Sequence, residues 1–83
     1  MDYRVIEYKE ILHEAFAGLL ADISRRITQM DISSKEYDSL VNLETKTAAI
    51  WREILSPKYS TMEDMLKLKR KFEFIQSYIK RIS

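Results

Sequence analysis

Glu10, His13 and Glu14 are the residues whose types and spacing come closest to chemistry. An imidazole and two carboxylates three and four positions apart share one side of a helix, where they could pass a proton or begin a metal site. His13 is the sole histidine and there is no cysteine, whereas carboxylate–histidine sites in bundles draw ligands from several helices. His13 also falls beside Leu12 and Phe16 at the edge of an apolar stripe. It reads as a partly buried structural side chain rather than a general base. No serine, histidine and acid are spaced as a triad, and a single glycine offers no phosphate-cradling loop. The expectation is a protein without catalytic residues, metal or cofactor.

Binding chemistry is better represented. Glu7, Glu10 and Glu14 share one outward helical face, continued by Ala17, Gly18 and Ala21, where small side chains would let a partner approach closely. Further on, Lys67, Arg70, Lys71, Phe74, Tyr78 and Arg81 gather on one face, so that aromatics alternate with bases. Such a face can anchor an acidic partner protein or stack on nucleotides. Net charge is only +1, and no helix-turn-helix geometry suits such long helices, so nucleic acid is the weaker partner. Glu44 falls inside an apolar stripe and requires a partner, Arg26 or Lys69, because a dry, unpaired carboxylate is costly.

The elements that position these residues are helices. Eighty-three residues with one glycine and one proline make a single domain, 1–83, with too few turn formers for a sheet protein. Acids outnumber bases six to four in residues 1–31, and bases outnumber acids seven to three in 58–83. Ser33-Ser34-Lys35-Glu36 has the form of a capping box opening at Ser33, with Ile32 and Tyr37 as a hydrophobic staple. Ser60-Thr61-Met62-Glu63 repeats it just after Pro57, which disfavours helix at the residue before it. Three helices follow, near 3–30, 34–55 and 60–82.

The first presents Val5, Tyr8, Leu12, Phe16, Leu19, Ile23, Ile27 and Met30 at helical spacing, widened by Ile11, Ala15 and Leu20. The second presents Tyr37, Leu40, Val41, Ala48, Trp51 and Leu55, flanked by Leu43, Ile50 and Ile54. The third presents Met65, Leu68, Phe72, Ile75, Ile79 and Ile82. Broad apolar faces and short connections predict an all-α, up-down-up three-helix bundle with a long first helix. At about 1.5 Å per residue the first helix outruns the second by roughly 9 Å. Its first eight residues then overhang, exposing Tyr3, Val5, Ile6 and Tyr8 as a docking end next to Glu7, Glu10 and Glu14. The alternative is that Val5 and Tyr8 fold over the end of the bundle.

With these helix lengths, and with the Tyr-Ser helix start, acidic first turn and late aromatic of "KYSTMEDMLKLKRKFEFIQSYIK" at 58–80, the chain resembles the bacterial epsilon antitoxins. That resemblance implies a small three-helix inhibitor of a zeta toxin, a kinase acting on a cell-wall sugar nucleotide, whose nucleotide site is blocked by the long first helix. Residues 34–55 are also similar to the secretion chaperones of type III systems, and "SPKYS" at 56–60 is similar to loops of bacteriocin immunity proteins. The expected function is a cytoplasmic bundle that masks a partner protein through Tyr3, Ile6, Glu7, Tyr8, Glu10, Glu14, Lys67, Lys71, Phe74, Tyr78 and Arg81. A nucleic-acid module using the third helix and a homo-oligomer using the small-residue face are the alternatives.

Overall fold

The computed structural model describes residues 3–82; Met1, Asp2 and Ser83, which belong to the expected 1–83 domain, lie outside it. Its elements are α1 (Tyr3–Gln29), α2 (Lys35–Glu53) and α3 (Met62–Arg81). They form the up-down-up bundle that the apolar periodicity predicts. The molecule measures 47 × 19 × 16 Å with a radius of gyration of 13.9 Å, against about 12 Å for an ordinary globule of this length. One layer of side chains therefore fills the interior.

Both later helices start one residue beyond their expected caps. Ser34, not Ser33, caps α2: its hydroxyl accepts from the Glu36 amide at 3.3 Å and donates to the Glu36 carboxylate at 2.6 Å. Ser33 instead gives its amide to Asp31 Oδ1 at 3.0 Å, closing a turn that leaves Ser33 outside the helix. The staple goes with the shift, and Ile32 is exposed. At α3 the box is Thr61 with Asp64 rather than Ser60 with Glu63. The Asp64 amide donates to Thr61 Oγ1 at 3.1 Å, and the Asp64 carboxylate accepts the amides of Thr61 at 3.2 Å and Ser60 at 3.0 Å. Two amides on one carboxylate outweigh the single return contact that Glu63 would make.

The core holds Val5, Leu12, Phe16, Leu19 and Ile23 of α1, Ile54 after α2, and Met65, Leu68, Ile75 and Ile79 of α3. Phe16 meets Phe72 edge to face with centroids 5.5 Å apart, a geometry worth about 1 kcal/mol beyond the area buried. The inward face of α2 is rotated from the one its sequence suggests. Leu40, Thr47 and Ile54 are buried while Leu55 is exposed. Thr47 is tolerated inside because its hydroxyl donates to the Leu43 carbonyl at 2.7 Å. Ile11, expected to widen the α1 stripe, is also exposed. Trp51, expected in the core, is half-buried at its margin.

Of the two arrangements expected for the end of α1, the overhang is corrected and the fold-over of Val5 and Tyr8 is the one that forms. Val5 is 1% exposed and Tyr8 is half-buried against the core, because the segment 54–61 between α2 and α3 folds across the end of the bundle. Lys9, on the core stripe between Val5 and Leu12, is 6% exposed and donates its ammonium to the Ser56 carbonyl at 2.8 Å. Lys58 pins the same segment through Glu53 at 3.0 Å, and that contact raises the Lys58 pKa. α1 packs closely on both other helices, whereas the backbones of α2 and α3 seldom approach one another.

Candidate functional site

Two surfaces of the described residues bring the expected contact residues together. The first is the outward side of α1. At about 100° per residue, Tyr3, Glu7, Glu10 and Glu14 lie opposite the buried Val5, Leu12, Phe16 and Leu19, and all four are exposed. Ile11 sits among the three glutamates in a shallow depression lined by Glu7, Glu10, Ile11 and Glu14. No ion pair to these glutamates is present among the described residues, so the face is anionic as it stands. Gly18 continues it, and a Cβ there would meet nothing within 4 Å. The small residue is therefore not required by the bundle's own packing.

Of the expected contact residues near this end, Tyr3 (70%) and Ile6 (40%) are exposed. Tyr8 is not presented as expected, since it turns towards the core. Val5, Lys9 and Leu12 make the support beneath the face, and Lys9 escaped the sequence reading. Its signal was present: a lysine four residues after Val5 and three before Leu12 lies on the apolar stripe and must find an acceptor.

The acid–histidine group does not assemble. His13 stacks on Trp51 with centroids 5.0 Å apart and planes 19° from parallel, while Glu10 and Glu14 point to solvent. The Trp51 Nε1 atom is buried without a hydrogen-bond acceptor. Glu44 is half-buried as expected, but its partner is the Ser24 hydroxyl rather than Arg26 or Lys69. Arg26 is held by Asp22 at 3.4 Å on its own helix.

The second surface is the seam between α2 and α3. Leu43, Lys46 and Ile50 face Arg70, Lys71, Phe74 and Ile75 across a groove of about 500 Å³. It continues past Ser39 and Asn42 to Tyr78. Lys71, Phe74 and Tyr78 thus come together as their spacing suggests, and Arg81 lies over the Tyr78 ring at 6.0 Å. Lys67 stands further along, 3.8 Å from Glu63. The α2 wall was missed, because α2's periodicity records which residues are apolar but not that α3 stands off from them.

No described helix is long and apolar enough to cross a membrane. A family model described as bacterial epsilon antitoxin matches residues 1–82. No curated protein and no solved structure matches the chain.

Proposed function

The chain belongs to the bacterial epsilon antitoxin family, and on that premise we propose that it inhibits a toxin kinase by laying the outward face of α1 across the kinase's nucleotide entrance. The observation that carries this reading is the unpaired acidic face of Glu7, Glu10 and Glu14, held on a helix whose other side is locked into the core by Val5, Leu12 and Phe16. Kinases cradle the phosphates of their nucleotide with lysine, arginine and metal ions. Three carboxylates on a rigid helix offer such a site the charge it is built to bind. Tyr3 and Ile11 supply exposed apolar contact on either side of Glu7, and a preformed helix loses little conformational freedom on docking. The protein would act without catalysis of its own, by occlusion, in the cytoplasm with its kinase.

The test is inhibition of a zeta-type toxin kinase, comparing the native chain with a Glu7→Lys, Glu10→Lys, Glu14→Lys variant. Inhibition should weaken at least tenfold with an unchanged melting temperature, since all three side chains are exposed. The native complex should form more slowly as salt is raised, as electrostatic steering requires. A triple variant that inhibits as well as the native chain would sink the occlusion mechanism.

A further inference from the structure

We propose that the groove between α2 and α3 is a second docking site, built for an acidic amphipathic helix of another protein. The groove lies on the far side of the bundle from Glu7 and Glu14 and is lined only by α2 and α3, so it stands or falls independently of the α1 reading. Its floor is apolar: Leu43, Ile50 and Ile75, with Phe74, 67% exposed, standing beside them. Its rim is cationic on both walls, Lys46 from α2 and Arg70 and Lys71 from α3. None of these three has a carboxylate partner among the described residues, although Arg25, Arg26, Lys58 and Lys67 each have one. Uncompensated positive charge around an apolar trough is the complement of a helix carrying aliphatic anchors between carboxylates.

Length agrees with a helix as occupant. From Ser39 to Ile50 the α2 wall runs about 17 Å, roughly three turns, enough for anchors at i, i+3 or i+4, and i+7. The trough is open along its length and would not enclose a small ligand as a closed pocket does. Nucleic acid is disfavoured by the aliphatic floor, since its two rings are Phe74 and, at the far end, Tyr78, whose face is already covered by Arg81. A second copy of this chain is a poor occupant as well. Its own acidic strip, Glu7 to Glu14, has Ile11 alone as an exposed aliphatic between the carboxylates.

The probe is a synthetic helical peptide of about 18 residues, long enough to hold helix in water, with leucines at the three anchor positions and glutamates flanking them. Titrated into the isotope-labelled full chain at low salt, it should shift the resonances of Leu43, Lys46, Ile50, Lys71 and Phe74 and leave those of α1 unmoved. Phe74→Ala should weaken binding at least tenfold. A Lys46→Glu, Lys71→Glu chain should lose the acidic peptide and gain one with lysines in place of the glutamates; circular dichroism confirms that each variant keeps its helices. Equal binding of a scrambled peptide, shifts centred on α1, or failure of the charge swap would overturn the proposal. So would groove shifts that depend on protein concentration alone, which would place a second copy there, or stronger binding by an oligothymidylate.

Discussion

Removing residues 1–8 should destabilise the bundle, although an overhanging helix end would be dispensable. Val5 is fully buried, and exposing such a side chain costs about 1.5–3 kcal/mol. Tyr8 is half-buried against the same core and contributes roughly 1 kcal/mol more on the same area scale. The truncation also leaves Lys9, with its buried bond to the Ser56 carbonyl, at the fraying first turn of the helix. The loss therefore comes to about 2.5–4 kcal/mol. A domain of this size holds about 4–12 kcal/mol in all, so the truncated chain is folded at low temperature but fragile. Each kcal/mol moves the midpoint of a small domain by about 4–8 °C, which predicts a fall of at least about 10 °C in a thermal melt followed by helical circular dichroism. Tyr3→Ser with Ile6→Ser, which touches the exposed residues alone, should move the midpoint by less than about 3 °C. A truncated chain that melts like the native one would refute the packing of Val5 and restore the overhang.

Capping gives a paired test: Thr61→Ala should cost about 0.5–2 kcal/mol in denaturant titration, while Ser60→Ala, one residue earlier, should stay within about 0.5 kcal/mol. Gly18→Ala should raise stability by up to about 1 kcal/mol, because the added methyl meets open space; a drop in the melting midpoint would show that the position is crowded. Trp51→Ala should cost about 2–3 kcal/mol rather than the larger loss of a fully buried indole, since Trp51 is half-buried and stacked on His13. Acid should loosen the helix starts. The Ser33 amide lowers the Asp31 pKa, the Ser34 hydroxyl lowers that of Glu36, and the Ser60 amide lowers that of Asp64. Carboxylates with depressed folded-state pKa values contribute stability above their unfolded values near pH 4, and that contribution is lost as pH falls through the folded ones. The melting midpoint should accordingly decline below about pH 4 and do so less steeply in Asp64→Asn, whose starting stability is lower.

The helices and most of the core were legible because helical spacing is a local property. Val5, Leu12, Phe16, Leu19 and Ile23 recur at steps of three, four and seven and are all buried, as are Met65, Leu68, Ile75 and Ile79. What failed were quantities set by neighbours in space. The caps slipped by one residue because two polar residues compete at each start: at α3 the Asp64 carboxylate takes two amides, and at α2 Asp31 holds the Ser33 amide in a turn outside the helix. The inward face of α2 rotated because Thr47 can satisfy its hydroxyl on its own helix, so a polar residue went in while Leu55 stayed out. The end of α1 stood open between an overhang and a fold-over of Val5 and Tyr8, because periodicity says nothing of where the 54–61 segment travels; the fold-over is what forms. Of the candidate site, the acidic face of α1 and the basic-aromatic face of α3 were both readable as helical stripes. Lys46 and its α2 neighbours were not, since a groove belongs to the gap between two helices rather than to either one.

The arrangement of α1 decides how its interface can be mapped. Its inward residues, Val5, Lys9, Leu12 and Phe16, interleave with its outward ones, Tyr3, Glu7, Glu10 and Glu14, within the same four turns. Removing a length of helix removes both sets, so lost partner binding after truncation would follow from unfolding as readily as from a missing contact. Substitution separates them. The outward side chains are exposed and carry little of the fold, and each can be changed while the support beneath it stays in place. A loss of binding on changing Glu7, Glu10 and Glu14, with no change in melting, then reports the interface alone. The same reasoning applies to Lys46, Lys71 and Phe74 across the α2–α3 seam. There the wider backbone spacing of the two helices leaves the groove open, while α1 closes the core against both of them.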